Sequence, residues 1–293
     1  MMGLLLVDKP AGITSHDVVG MVRRAARTRR VGHAGTLDPF ATGLLVVAIG
    51  ACTRLLPYIV GEPKVYDVVI RFGTETNTDD HTGVVVRESP LPSLARFADA
   101  VRSLTGAFQQ VPPSFSAKHI DGQRAYAVAR RGGDVVLPPV SVTVHAWQLL
   151  HVAPEVVTAR ITCAGGTYVR ALARDLGRAL QSAAHCESLR RIASGGAHIE
   201  QAVPFEALRP GSIADGQVAL QSPVPALDNV VLQPLDDAGL AALGHGRAIP
   251  ATVMGARAAL MRGDTIVGIA ERMGDPLLGD RWQPRVVLLG DAG

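Results

Sequence analysis

Apolar positions fall along this chain in three patterns. Gly3-Leu4-Leu5-Leu6-Val7 and Leu44 to Ile49 are unbroken apolar runs, which predict short buried strands; the first stops at the Asp8-Lys9-Pro10-Ala11-Gly12 turn. Lys64 to Gly73 alternates instead, predicting a half-buried strand with Tyr66 on the same side as Lys64, Val68 and Ile70. Val140 to Val152 and Val156 to Cys163 alternate likewise. Helical spacing runs from about His16 to Arg27, with Val18, Val19, Val22 and Ala26 on the apolar side and Thr14 or Ser15 as the cap. Further helices are predicted over Thr53 to Val60, from Pro92 and Ser93 to about Leu104, and over Asp236 to Leu243. Thr74 to Gly83 reads as a polar loop between strands, Val203 to about Leu227 as a connector, and Arg257 to Leu289 as a small β-rich module of brief apolar runs between glycines.

Two stretches carry more than periodicity. Gln110 to Lys118 is turn-rich and precedes Gly122 to Gly132, which predicts a short basic helix. This proline-bearing, cation-rich segment suits either a solvated surface hairpin or a grip on a nucleic-acid strand. After Val156 to Cys163 comes a glycine turn, Ala164-Gly165-Gly166, and then a helix whose first turn presents Thr167, Tyr168 and Arg170. A helix start favours nearby anions. No Gly-Lys-Ser/Thr follows, so a nucleotide P-loop is rejected.

Composition narrows the picture. A chain of 293 residues, 47% apolar, has room for one large domain and a small one without disulfide staples. The net charge of +3 does not by itself point to a polyanion, but residues 1–60 hold seven Lys or Arg against three Asp, a local balance that fits a phosphate backbone or a solvated arginine face. Cys52, Cys163 and Cys186 are odd in number and far apart, which argues against a disulfide framework or a zinc knuckle and for a reducing cytoplasm. Met1 to Val7 lacks a basic flank, and Leu44 to Ala51 is too short to span a bilayer; a cytoplasmic protein without membrane contact is expected.

The densest chemistry lies in Arg30 to Leu45. Two glycine-punctuated turns bracket a single carboxylate, Asp38, and Pro39 biases it toward an extended backbone. His33 sits beside it, and Arg23, Arg24, Arg27, Arg29 and Arg30 lead in. Asp-Pro is also an ordinary turn starter. The full run Gly32-His33-Ala34-Gly35-Thr36-Leu37-Asp38-Pro39-Phe40-Ala41-Thr42-Gly43-Leu44-Leu45, however, resembles the G-H-x-G-x-L-D-P-x-A-x-G-x-L signature of the TruB family of pseudouridine synthases, with every fixed position filled. The entry Asp8-Lys9-Pro10-Ala11-Gly12-Ile13-Thr14-Ser15 and the run Gly166-Thr167-Tyr168-Val169-Arg170 to Gly177 match further elements of that family.

The resemblance is specific over roughly residues 3–195 and loose beyond. It implies an α+β fold: a mixed, mostly antiparallel central sheet with flanking helices, an RNA-gripping insertion over about 107–140, and a PUA-like C-terminal module. Residues 1–227 would form the catalytic domain and 228–293 the RNA-binding module. The implied activity is isomerisation of the T-loop uridine of tRNA, conventionally position 55, to pseudouridine, without metal or cofactor, in a monomer needing no protein partner.

The same resemblance assigns roles. Asp38 is the catalytic nucleophile, attacking the sugar or deprotonating it, Arg170 is its ionic partner, and Tyr66 packs on the target base; these three are the catalytic set. His33 fills the space left by the extruded base, Tyr168 and Leu189 wall the pocket, and Asp80 is an orienting acid. Lys9, Lys118, Arg124, Arg130 and Arg131 complete the substrate-binding set. A nucleophilic carboxylate must stay ionised and aimed, which a guanidinium achieves through paired hydrogen bonds. Two other readings remain open: a non-catalytic tRNA-binding or RNA-folding protein on this scaffold, and a glycoside hydrolase, which needs a second cooperating carboxylate. Adjacent Asp79 and Asp80 lack the oxygen-ligand spacing of a calcium loop, so no metal is assigned.

Overall fold

The computed structural model describes residues 1–59, 61–115, 119–120, 123–124, 137–275 and 279–289. The chain begins β1 (Gly3–Lys9), α1 (Ser15–Ala25), β2 (Val31–Ala34), β3 (Thr42–Ile49), a 3-10 helix (Gly50–Tyr58) and β4 (Lys64–Phe72). A hairpin of β5 (Thr74–Thr76) and β6 (Val85–Glu88), helix α2 (Phe97–Ser103) and β7 (Gly106–Gln110) follow. Beyond the short pair β8 (His119–Ile120) and β9 (Gln123–Arg124) run β10 (Val140–Val152), β11 (Val156–Cys163), α3 (Val169–Ala179), β12 (Ala184–Ser194), β13 (Ala197–His198) and β14 (Val203–Pro204).

Among the described residues these strands make one ten-stranded sheet, ordered β14-β1-β3-β12-β4-β11-β10-β7, with β2 beside β3 and β13 beside β12. β1 with β14 and β3 with β12 are parallel, and the other pairs in that sheet are antiparallel. A second sheet, β15 (Val231–Pro234), β17 (Arg257–Arg262), β18 (Thr265–Asp275), β19 (Gly279–Val287) and β16 (Ile249–Pro250), is joined by α4 (Asp237–Gly244) and forms the C-terminal β-rich module.

Burial explains the two strand patterns. Leu5, Val7, Leu45 and Val47 pack beneath Val18, Val19 and Val22 of α1. Leu4, Leu6, Leu44 and Val46, on the opposite face, pack against Ala259, Met261, Ile266 and Ile269 of the second sheet. Strands β1 and β3 are thus covered on both faces, and nearly every position must be apolar. On β4 and β11 alternate positions, Val68, Ile70, Val157, Ala159 and Ile161, lie under Leu172 and Leu176 of α3, while intervening residues are more exposed.

Several local expectations need correction. Val31–Ala34, Gly106–Gln110 and Ala184–Ser194, to which the sequence pattern assigns no strand, are all strands, the last of them central in the sheet. The polar Thr74 to Gly83 stretch starts as a paired strand. The helix expected from Thr53 begins at Gly50 and is 3-10 throughout, with Pro57 inside. Gln123 and Arg124, expected in a helix, pair in β9 with β8; the rest of that basic segment lies outside the described residues.

Thr14 caps α1, accepting from the Asp17 amide at 3.1 Å, while Asp17 accepts from the Thr14 amide at 2.8 Å. Ser15 is thereby free to bond elsewhere. Its hydroxyl accepts from the Leu37 amide at 2.9 Å and donates to the Leu37 carbonyl at 3.1 Å. Thr14→Ala is expected to cost about 1 kcal/mol in a urea melt, and an unchanged midpoint would show that the reciprocal cap contributes nothing.

Candidate active site

The loop between β2 and β3 carries Asp38 and is fastened on several sides. Beyond the Ser15 staple, the Gly12 amide donates to the Pro39 carbonyl at 2.8 Å and the Ala41 amide to the Asp38 carbonyl at 3.1 Å. Lys9, 0% exposed, directs its ammonium to the carbonyls of Pro10 (2.8 Å), Ile13 (2.8 Å) and Pro39 (3.3 Å). It braces the loop through these carbonyls and does not reach solvent. Burial pushes its amine down to about 8, the Asp38 carboxylate opposing.

Arg191 provides a second brace. Only 1% exposed, it donates from Nε to the Leu44 carbonyl and from Nη2 to the Gly35 carbonyl, both at 2.7 Å. Gly43 passes so close to the Arg191 backbone that a Cβ there would meet its carbonyl oxygen at 2.3 Å, at a φ of +99°; only glycine fits. The family resemblance leads one to expect Arg191 to face phosphate or an acid, as its neighbour Arg190 does with Asp8 at 2.7 and 2.9 Å. The two differ because a strand places them on opposite faces, and that strand is not apparent in the sequence pattern.

Across from the loop, the first turn of α3 presents Arg170. Its Nε donates to Asp38 Oδ2 at 2.8 Å and its Nη2 to Oδ1 at 2.9 Å, a two-point carboxylate grip. The guanidinium is 4% exposed, whereas the Asp38 side chain keeps 37% of its surface. The carboxylate is therefore aimed and still reachable. Asp175, on the same helix, bonds Arg174 and not Arg170.

A cavity of about 290 Å³ opens in front of this pair, lined among others by Asp38, Tyr66, Tyr168, Arg170, Leu189 and Arg191. Its size is at the low end for small-molecule pockets. Tyr66 on β4 and Arg191 on β12 are cross-strand partners, and the arginine lies against the phenol. Burial pushes that phenol up, the Arg191 charge opposing, so Tyr66 is protonated at neutral pH. Asp38, Tyr66, Arg170, Tyr168 and Leu189, distant in sequence, thus share one cavity.

His33, Asp80 and Lys9 do not line it. Asp80 lies behind Arg170, 3.6 Å from Nη1, and accepts from the Thr78 hydroxyl at 2.8 Å and the Thr82 amide at 3.0 Å. Beside it, burial pushes Asp79 up to about 6 against the pull of Arg174 and Arg170. Lys118, Arg130 and Arg131 lie outside the described residues, and of Arg124 only the backbone is described. Among the described residues no group of three or more His, Cys, Asp or Glu is placed to hold a metal, and no helix is long and apolar enough to cross a membrane.

With this geometry in view, comparison with known proteins identifies the class. The family model for TruB family pseudouridylate synthase (N terminal domain) matches residues 23–169, and the chain belongs to that family of isomerases. Among curated relatives, tRNA pseudouridine synthase B of Leifsonia xyli subsp. xyli is 48% identical over 219 residues, 72% of each chain. The protein of that name from Solibacter usitatus is 37% identical over 296 residues, 98% of this chain and 100% of the relative. The fold matches a chain in the structure of an H/ACA RNP bound to a substrate RNA containing 2′-deoxyuridine, at a TM-score of 0.71 and 21% identity over 98% of this chain and 85% of that one. It also matches a chain of the archaeal box H/ACA sRNP Nop10-Cbf5 complex, at a TM-score of 0.69 and 22% identity over 97% and 85%.

His33 yields a direct test of the local electrostatics. Burial, with Arg191 and His16 nearby, holds its imidazole below the ordinary 6.5. The folded state binds that proton more weakly than the unfolded one, so this group's contribution to stability grows as pH rises from the folded value through 6.5 and is lost below it. An NMR titration should place the His33 midpoint below 6.5; a midpoint at or above the ordinary value contradicts the buried setting.

Proposed function

We propose that this chain isomerises the T-loop uridine of tRNA, at conventional position 55, to pseudouridine, with Asp38 as the nucleophile. The observation that carries this reading is the two-point Arg170–Asp38 pair at the mouth of the cavity that Tyr66 and Leu189 line. The relatives named tRNA pseudouridine synthase B supply the substrate class. Residues 1–227 act as the catalytic domain and 228–293 as an RNA-binding module, and a monomer in the cytoplasm suffices for the reaction.

The reaction conserves every atom of the nucleotide. The bond from N1 to C1′ breaks, the base turns, C5 bonds to C1′, the C5 proton leaves and N1 takes one up. The Asp38 carboxylate bonds to C1′ as the N1 bond breaks, holds the sugar while the base reorients, and leaves C1′ as C5 bonds there. Arg170 holds both oxygens of Asp38 and leaves the free edge of the carboxylate facing outward. Tyr66, with its phenol protonated, suits packing against the base better than taking the C5 proton. The uridine must first leave its stack, at a cost of a few kcal/mol, and His33, on the strand leading into the loop, is read as the residue that fills the gap in the RNA. Asp80 supports Arg170 from behind.

Asp38→Asn should lower turnover by roughly 10⁴-fold or more while leaving tRNA binding nearly intact, because size is kept and only the nucleophilic charge goes. Tritium release from C5-labelled uridine in unmodified tRNA measures it. Release by the variant at an ordinary rate removes Asp38 from the chemistry; no release by the unaltered protein favours the non-catalytic tRNA binder.

The insertion is read as the element that grips the RNA backbone. Lys118, Arg124, Arg130 and Arg131 together should supply phosphate contacts, each releasing counterions on binding. Replacing all four with neutral residues should weaken binding and flatten its salt dependence by somewhat under about one unit of slope per lost contact. The single-turnover rate at saturating tRNA should fall much less. A binding-against-salt titration decides it, since an unchanged slope and affinity would make this segment an ordinary solvated hairpin.

A further inference from the structure

Arg170 has five N–H donors, and each has a destination. Two go to Asp38; the others go to the Phe115 carbonyl at 3.0 Å, the Thr78 carbonyl at 2.7 Å, and toward Asp80 at 3.6 Å. The partners other than Asp38 belong to two separate segments, so the guanidinium plane is only as fixed as those segments are.

One helical turn further along α3, Arg174 holds both. Residues four apart share a helix face. Arg174 Nη1 donates to Asp79 Oδ2 at 2.8 Å, in the segment that carries Thr78 and Asp80. Its Nη2 donates to the Val111 carbonyl at 2.7 Å, four residues before Phe115, and its Nε donates to Asp175 at 2.9 Å. Gln110 pins the same segment again: its Oε1 accepts from the Tyr168 amide at 2.9 Å and its Nε2 donates to the Tyr168 carbonyl at 3.2 Å. Gln110, Arg174 and Asp79 are all buried.

We propose that Arg174, seconded by Gln110, is a positioning residue for the Arg170–Asp38 pair, setting the plane of the Arg170 guanidinium through the Thr78–Asp80 and Val111–Phe115 segments. The proposal rests on Asp38 being the reacting group. Stability alone does not account for the Arg174–Asp79 pair, since well-packed apolar residues commonly replace a buried ion pair with no loss. Geometry accounts for it: a planar fork with fixed donor directions reaches a carboxylate and a carbonyl at once, and a point charge on a flexible stem does not hold both so rigidly.

Two variants test this beside the unaltered enzyme. Arg174→Lys keeps a cation next to Asp79 and gives up the fork. The double change Asp79→Asn with Arg174→Met removes both charges, so neither is left buried alone. Thermal melting, tRNA affinity and the single-turnover rate at saturating tRNA are measured for each. Both variants should be folded at the assay temperature and bind tRNA nearly as well as the unaltered enzyme, while the rate falls about tenfold to a hundredfold, the scale of a misplacement of about 1 Å. Gln110→Ala should move the rate in the same direction. A normal rate in either folded variant overturns the proposal, as does a rate loss no greater than the loss of folded protein. Absence of isomerisation by the unaltered enzyme would overturn the functional reading itself.

Discussion

The pair between Asp38 and Arg170 is the constraint on which the rest of the site depends. A carboxylate left to water rotates freely and is solvated from every side. One held at both oxygens by a guanidinium has a single orientation and one exposed edge. Here the guanidinium is buried and the carboxylate partly open. The fold must therefore bring a loop from residues 35–41 against a helix beginning at 169, and it must keep both from shifting.

The order of the sheet brings them together. The loop leads into β3, Tyr66 lies on β4, and Leu189 and Arg191 lie on β12, the strand between them. Three elements far apart in sequence thus become neighbours roughly 5 Å apart. Buried cations then keep them in place. Lys9 and Arg191 end on backbone carbonyls around the loop, and the cost of burying them shows at Lys9, whose amine is pushed down to about 8. Such charges act as struts: an ammonium or guanidinium fixes two or three carbonyls in space where an apolar side chain would fix none.

What can be read from the sequence follows from how each signal arises. The run from Gly32 to Leu45 is legible because its glycines, proline and single acid occupy fixed spacings, and the unbroken Leu4 to Val7 run is legible because burial on both faces leaves no polar position. Gly106 to Gln110 is not, because a glycine and two glutamines do not look like a strand, and the reason for Gln110, a two-point bond to Tyr168, is made across 58 residues. Ala184 to Ser194 is hidden for a different reason. Its buried positions include His185 and Arg191, residues normally counted as surface, so its alternation of two is masked. Lys9, at the end of β1, is another residue of a type normally counted as surface that lies buried.

The arginines show why residue type alone does not place these groups. Arg190 and Arg191 are adjacent on a strand, and a period of two sends them to opposite faces: one to a half-exposed grip on Asp8, the other to buried carbonyls around the Asp38 loop. Arg170 and Arg174 are four apart on a helix, and a period of 3.6 sends them to the same face. Both spacings stand in plain view in the sequence, yet their meaning depends on the element that carries them. Once 184–194 is known to be a strand and 169–179 a helix, the four arginines separate: one is surface-paired, one is a strut, and two bond into the same segments, 78–80 and 111–115. The local period, more than the charge, decides which arginine reaches Asp38.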